Sequence, residues 1–536
     1  MYKEEIKNIL ISRLDLRETL FSKGYLLTSD DNISYQDYPF YGIWKKHEIL
    51  TSHSHNLFLY IHPKQKTTIY EDNDFLYLMI GHAINPFDRV IDEFELLKNI
   101  SLYNKSVNHN FIEYLNEMTG IFILIVVNKD NQSFKIYQDA SGMKAVYYSI
   151  IDNNLYVSSH AQLIADLLNL HFDSNIYKLI NKKFYSFSNR YLPGNLSPYK
   201  EVKRIGGNTY LFFDNNDFII SRFYPIKTLD MAKNIDEVNM LVEKISKLLT
   251  TTMEQITRKW NKPAISLTGG TDSKTTLSVA NHFYNSYFVY SYISKKQEEV
   301  DALAAKNICD KLNIKHHTYK ISESNDEVED YHILKKIIDH NTSYFKKTSD
   351  NEIRKLIHFY KTKDFDVEVK SWASETVRVF LDRKYGMSMP KVLNERHLSI
   401  LQSRYMFSPE LLKFADEKNY EFLKEIELLV PLYNFEHSDL YYWEFRMGAW
   451  GSSVVNSFDL CHEVIMPMNN RNILELFLRI PREYRINDGI HLKIIEKNNS
   501  QMKETEHVAN LYFHNYRKII EKLYFKFRTV FYRRKK

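Results

Sequence analysis

The stretch Ala264-Ile265-Ser266-Leu267-Thr268-Gly269-Gly270-Thr271-Asp272-Ser273 decides how the chain is read. Residues of buried-strand character run straight into a glycine pair. Asp272 and Ser273 then open a helix that the spacing carries to about Phe283, with Leu277, Ala280 and Phe283 on one face. Strand, glycine turn and helix N-terminus together are a general phosphate site. Glycine lets the backbone close on the anion, and the first N–H groups of the helix point at it. The order Gly-Gly-x-Asp-Ser is neither the G-x-x-x-x-G-K-[ST] loop of ordinary nucleotide hydrolases nor G-x-G-x-x-G.

Downstream of the loop, strand and helix alternate. Residues 287–293 read as a buried strand. Glu299-Val300-Asp301 opens a helix with Val300, Leu303, Ala304, Ile308 and Leu312 on one stripe, and residues 316–321 form a further strand. Such alternation predicts a parallel, doubly wound sheet, whose ligands sit beyond the carboxyl ends of the strands. That rule gathers the glycine loop and Ser291 to Ser294 around one pocket, with Tyr292 in it. Helices follow near 327–341 and 352–360. Residues 367–372 read as strand and run into Ala373-Ser374-Glu375-Thr376-Val377-Arg378. Upstream, residues 235–249 are an amphipathic helix, and from Ser438 the chain is helical.

The region up to about residue 230 reads as strand-rich. Residues 57–61 and 75–80 are strands, the first ended by a proline and the second stopped by Gly81. Residues 120–127 and 133–138 make a hairpin across Asn128-Lys129-Asp130-Asn131. Residues 145–149 and 155–159 make another across Asp152-Asn153-Asn154. Consecutive hairpins mean antiparallel sheet.

Composition sets the outer bounds. A chain of 536 residues with 44% apolar and 26% charged content reads as globular and larger than one domain. No apolar run approaches the roughly 18 residues of a membrane span. The opening Met1-Tyr2-Lys3-Glu4-Glu5 is too polar for a signal peptide, and two cysteines, Cys309 and Cys461, suit a reducing cytoplasm. Between Arg517 and Lys536 nine lysines and arginines face one glutamate. This tail therefore carries +8 of the formal net charge of +5 and leaves the body at −3. The body is not a polyanion binder, so no nucleic-acid partner is expected. The tail alternates Tyr512, Phe513, Tyr516, Ile519, Ile520, Leu523, Tyr524 and Phe527 with Arg517, Lys518, Lys522, Lys526 and Arg528. At helical spacing it is a basic amphipathic helix, suited to a membrane or protein contact or to packing on the body with a solvated basic face.

The loop resembles the S-G-G-x-D-S pyrophosphate loop of the ATP pyrophosphatases, with Thr268 in place of the first serine. Further matches resemble the asparagine synthetase-like family. Gly120, Phe122, Asp139, Gly142, Lys144, Tyr147 and Tyr148 fall in its class II glutamine amidotransferase pattern, and Ser197 to Gly207 looks like the segment that closes that domain. Ala373 to Arg378 looks like the G-x-x-x-E-x-x-R form of its second motif. Asp439 to Arg446, Glu463 to Leu476, Ile480 to Arg485 and Gly489 to Ile495 resemble its C-terminal motifs. The resemblance implies an α/β protein in three parts. Residues 1–227 would be an antiparallel, β-rich, Ntn-type glutaminase-like domain. Residues 228–505 would be a doubly wound, parallel-sheet ATP-pyrophosphatase domain with a helical C-terminal part, and residues 506–536 a basic helical tail.

What the resemblance implies for chemistry is specific. Leu267, Thr268, Gly269, Gly270, Asp272 and Ser273, with Tyr292 and Ser371, would bind ATP and its pyrophosphate. Asp272 and Glu375 would hold Mg²⁺, which takes few carboxylates and keeps phosphate and water oxygens. Either His491 or Lys493 would stabilise charge as an acyl adenylate forms and reacts. Arg446 and Arg471 are ion-pair candidates. A glutaminase of this class needs a cysteine directly after the initiator Met, where this chain has Tyr2, and the N-G-E-x-Y-N segment is replaced around Gly81-His82-Ala83. The glutaminase-like domain is thus expected to be inactive, with His82 and His160 ordinary histidines. Three readings follow: a tailoring ligase or cyclase joining a carboxylate and an amine of a small molecule or peptide, an ammonia-using asparagine synthetase, or a non-catalytic relative that binds nucleotide or a partner.

Overall fold

The computed structural model describes residues 2–33, 41–51, 56–106, 110–186, 190–214, 217–402, 408–503 and 514–530. Two six-stranded antiparallel sheets form the N-terminal half. One runs Lys203–Arg204, Tyr147–Ile151, Asn154–Ser158, Tyr25–Thr28, Asn56–Ile61, Lys45–Thr51; the other runs Phe218–Arg222, Thr209–Phe213, Phe134–Gln138, Thr119–Asn128, Phe75–Ile84, Thr67–Glu71. Alternation along each strand builds the layer between them. Leu57, Leu59 and Ile61 of the first sheet share a core with Leu78, Ile80, Ile123, Ile125 and Val127 of the second. Residues of opposite parity face helices. Phe58 and Tyr60 pack with Ile6 and Leu10 of the helix Tyr2–Ser12. Tyr77, Met79 and Leu124 pack with Leu96, Leu97 and Ile100 of the helix Glu93–Lys105.

Both expected hairpins are present, and one boundary is corrected. The strand Phe75–Ile84 does not stop at Gly81 but runs through it. Gly81 has φ +114°, and a Cβ there would meet the Ile121 carbonyl oxygen at 2.2 Å. The glycine admits the close approach of the neighbouring strand and does not end the pairing.

The third sheet is parallel and five-stranded, in the order His316–Lys320, Phe288–Ile293, Pro263–Ser266, Val367–Val369, Glu463–Ile465. The chain starts at Pro263–Ser266, moves outward through two strands, then crosses back to Val367–Val369 on the other side. The strand order therefore reverses between Pro263–Ser266 and Val367–Val369, and their carboxyl ends open on the crevice where such sheets hold ligands. On one face Ile265, Val289 and Val367 belong to the same core as Val238, Val242 and Ile245 of the helix Ile235–Lys259, and the other face buries Tyr290, Tyr319, Phe359 and Phe365. Val367–Val369 is shorter than the stretch 367–372 read as strand: the Lys370 amide still donates to the Ile465 carbonyl at 2.9 Å, and the chain leaves the sheet after it. The helix after the glycine loop spans Thr271–Val279 and tightens to a 3₁₀ turn at Asn281–Ser286. Glu463–Ile465 is an edge strand that the sequence reading did not separate from the helices around it.

The segment after that edge strand ties the two halves together. Asn469 Nδ2 donates to the Gly120 carbonyl at 2.7 Å and to Asp139 Oδ1 at 3.0 Å. Arg471, 1% exposed, donates to Asn208 Oδ1 at 2.8 Å and to the carbonyls of Gln138 and Asp139 at 2.9 and 3.0 Å. It is not an ion-pair residue: its hydrogen bonds go to neutral oxygens and its guanidinium lies 4.8 Å from the Phe223 ring centre. Arg446 likewise sits among rings, 4.9 to 5.5 Å from the centres of Trp450, Tyr442 and Phe380. One buried ion pair of this junction is Arg222–Glu444, bidentate at 2.7 and 2.9 Å.

Truncating Arg471 takes a buried donor from Asn208 Oδ1 and from the carbonyls of Gln138 and Asp139, of which Asp139 keeps the Gly142 amide at 3.2 Å. We expect Arg471→Met to destabilise the protein by about 1–3 kcal/mol, the cost of leaving a buried acceptor unsatisfied. Arg479→Met, which removes only an exposed contact to Asp230, should change stability by less than about 0.5 kcal/mol. Thermal melts of the two variants beside the parent check this, and equal melting temperatures for both would refute it.

Candidate active site

A cavity of about 530 Å³ opens at the reversal point of the parallel sheet. One end is the glycine loop. The Thr268 amide donates to Ser273 Oγ at 3.2 Å, and Ser273 Oγ also approaches Thr268 Oγ1 at 3.0 Å. The Gly270 amide donates to Thr268 Oγ1 at 3.2 Å. Threonine at position 268 thus does the work of a serine, because the hydroxyl is what closes the turn. The Gly269 amide donates to Asp301 Oδ1 at 3.2 Å. A loop amide already held by a carboxylate is aimed where an anion belongs. Ser291 Oγ, donating to the Leu267 carbonyl at 2.7 Å, pins the neighbouring strand end to the loop.

The second wall comes from Lys370 to Arg378. Ser371 Oγ accepts from Thr276 Oγ1 at 2.9 Å, which fixes this segment to the loop helix. Ala373 takes a left-handed backbone, φ +67° and ψ −18°, the conformation that glycine adopts freely. Holding alanine there costs about 1–2 kcal/mol. A turn that glycine would make freely is made here under strain.

Asp272 and Glu375 come together, but around a guanidinium. Arg378 Nη1 donates to Asp272 Oδ2 at 2.6 Å and to Glu375 Oε1 at 2.9 Å, while its Nε and Nη2 hold Asp488 at 2.9 and 2.7 Å. Burial pushes the Glu375 carboxyl up to about 7; Asp272 beside it adds to the rise, and Arg378 opposes it. Burial also works against the charge on Asp488, but Arg378 outweighs it and holds that carboxyl below its ordinary value. Magnesium does not fit Asp272 and Glu375 as they stand, because Arg378 already bridges an oxygen of each. Among the described residues no group of three or more His, Cys, Asp or Glu side chains is placed to hold a metal ion.

The two alternatives in the last motif part company. His491 is buried; its Nε2 lies 2.7 Å from Ser374 Oγ, which donates to Asp272 Oδ1 at 2.5 Å. Burial first, then the nearby Arg378, pull the His491 imidazole down to about 4, so it is neutral at pH 7. Lys493 stands on another face of the same helix and donates to Asn239 Oδ1 at 2.8 Å. Only His491 is brought to the loop. Tyr292 lines the cavity, with the Lys355 ammonium 4.8 Å above its ring.

The far end of the cavity is lined by residues to which the sequence reading gave no role. Trp372, Trp450 and Phe458 form an aromatic wall, with ring centres 5.6 Å apart for Trp372–Trp450 and 6.3 Å for Trp372–Phe458. Lys346 reaches this end buried, donating to Ser457 Oγ at 2.7 Å, and burial pulls its ammonium down to about 8. Lys370 is neutralised by Glu368 at 2.5 Å. These residues come from three separate stretches with no common spacing, so nothing in the one-dimensional pattern points to them. Trp372 and Arg378 alone sat inside a recognised segment.

Over residues 105–224 the chain matches the model of the glutamine amidotransferase domain family. No curated protein matches the chain. Similar solved structures include the allosteric regulatory enzyme of purine biosynthesis, at 6% identity and TM-score 0.24 over 65% of this chain and 91% of that one. Another is the glutamine phosphoribosylpyrophosphate amidotransferase of B. subtilis in complex with ADP and GMP, at 8% identity and TM-score 0.21 over 70% and 75%. A third is the glutamine-dependent NAD⁺ synthetase of Acinetobacter baumannii in complex with ADP, at 11% identity and TM-score 0.18 over 51% and 55%. The matched stretch holds the paired strands Thr119–Asn128 and Phe134–Gln138 and the Asp139 turn, so residues 105–224 are similar to a glutamine amidotransferase domain.

Proposed function

We propose that this protein is an ATP-dependent ligase of the asparagine synthetase-like kind, which activates a carboxylate as its adenylate and joins it to an amine. The observation that carries this is the Thr268–Ser273 loop, set at the reversal point of a parallel sheet with its helix N-terminus facing a cavity of about 530 Å³. In the first step a substrate carboxylate oxygen attacks the α-phosphorus of ATP, and the bond to pyrophosphate breaks. The helix N-terminus meets the charge on the departing pyrophosphate. In the second step the amine nitrogen attacks the acyl carbon, the bond to AMP breaks, and the amine gives up a proton. Lys346 is the group in the cavity suited to take it, since near pH 8 a substantial part of it is neutral. Neutral His491 holds Ser374, and through it Asp272, in place.

The aromatic end of the cavity favours a tailoring ligase over an ammonia-using asparagine synthetase. Trp372, Trp450 and Phe458 offer apolar surface that aspartate cannot use. The amine is not drawn from glutamine in this reading. Both cysteines lie outside the antiparallel sheets: Cys309 is buried in the helix Glu298–Lys311, and Cys461 donates to the Leu356 carbonyl. His82 contacts Glu463 at 3.3 Å and the Val464 carbonyl at 3.0 Å, and serves the junction.

Replacing Ser273 with Ala removes the hydroxyl that closes the glycine loop and should cut substrate-dependent pyrophosphate release by about tenfold while the circular dichroism melt stays close to that of the parent; unchanged release would sink the loop assignment. Amide formation should rise with pH between 7 and 9 as Lys346 loses its proton. Lys346→Met should flatten that rise and lower the rate by about a hundredfold, leaving ATP–pyrophosphate exchange intact. A variant with the parent's pH profile would remove Lys346 from the proton path. Incubation with glutamine, with or without ATP, should yield no glutamate above a heat-killed control; steady glutamate would restore an amidotransferase that feeds on glutamine.

A further inference from the structure

The helix Asn515–Val530 docks on the body by one face and presents an apolar stripe on the other. Phe525 is 2% exposed, stacked on His397 with ring centres 5.5 Å apart and edge-on to Tyr385 at 5.2 Å; Glu521, one turn earlier, is buried with it. Lys518 lies against Gly386. At roughly 100° per residue, Tyr516, Ile519, Ile520, Leu523 and Val530 fall on the side opposite Glu521 and Phe525. They are 51–70% exposed. A helix that simply rested on the body with a solvated polar face would have the reverse arrangement. Lys522 and Lys526 border the stripe on one side, and Arg517 and Arg528 on the other.

We propose that this stripe is a docking surface for an anionic lipid bilayer, on which the helix lies in the plane of the interface. The charge decides the occupant. The helix carries Arg517, Lys518, Lys522, Lys526 and Arg528 against the single, buried Glu521. A second copy of the chain pairing through the same stripe would bring like-charged borders together, which is unfavourable. A nucleic acid would satisfy the cations but leave the apolar stripe in water. An anionic bilayer satisfies both: the stripe enters the acyl boundary and the lysines and arginines reach back to the headgroups. Among the described residues no helix is long and apolar enough to cross a membrane, so the contact is peripheral.

The full-length protein, mixed with vesicles of phosphatidylcholine alone or with a third of phosphatidylglycerol and then sedimented, tests this. Binding is expected only to the anionic vesicles, weakening as salt is raised. The double variant Ile519→Ser/Leu523→Ser should lose roughly tenfold or more in partitioning, and Lys522→Glu/Lys526→Glu should lose most of it. Both changes are at exposed or half-exposed positions, and an unchanged melt confirms that the fold is kept. No binding of the parent protein to anionic vesicles overturns the proposal, as does binding that the apolar substitutions leave untouched. Sedimentation velocity of the same samples covers the other occupant: a dimer that the Ile519/Leu523 substitutions dissolve assigns the stripe to a second copy and overturns the lipid assignment.

Discussion

The fold turns on a buried polar knot where Arg471 and Asn469 meet the Asp139 turn. The Asp139 carboxylate accepts from the amides of Met143 and Lys144 at 2.9 and 2.8 Å and from Asn469 at 3.0 Å. Burial raises the Asp139 carboxyl and pulls Arg471 down to about 10, so both charges are held against a desolvation penalty. What offsets that penalty is the set of hydrogen bonds that reach both charged groups. The knot lies directly after Glu463–Ile465, the edge strand of the parallel sheet. The amidotransferase-like sandwich therefore braces the last strand of the sheet that carries the glycine loop. A domain without a cysteine for glutamine chemistry still has a mechanical use in this arrangement.

The cavity shows a second economy of charge. Three carboxylates, Asp272, Glu375 and Asp488, converge on Arg378, and Arg383 adds a contact to Asp488 at 3.0 Å. Carboxylates this close to one another and partly removed from water cannot stay ionised without a cation among them. In this chain the cation is a side chain. Arg378 is planar and forked, so it can take two carboxylates on one edge and a third on another.

The aromatic end and the loop end of the cavity differ in chemistry, and they meet at the strained turn of Ala373. Trp372, next to it, points to the aromatic wall with Trp450 and Phe458, while Ser374, on its other side, reaches Asp272. A left-handed residue at 373 reverses the chain so that neighbours on either side face opposite ends of one pocket. That is a structural reason for strain to persist there.

By itself the sequence determined the local chemistry. The apolar run into Gly269-Gly270, the alternation of Ile121 to Val127 and the helical spacing of Val238, Val242 and Ile245 each name their element, because period and turn residues act within a few positions. It also brought Asp272, Ser273, Ser371 and Glu375 to notice, since these lie in short segments beside recognisable turns. The tertiary structure decided what those residues touch. Arg378 on Asp272 and Asp488, Lys346 on Ser457, His491 in place of Lys493 at Ser374, and the outward stripe of the C-terminal helix all depend on which strands neighbour which, and on which helix face is buried. Those are contacts between residues about a hundred positions or more apart, or between faces that spacing leaves equivalent. Periodicity carries no information about them, because hydrophobic patterning sets which side of an element is buried but not the partner that buries it.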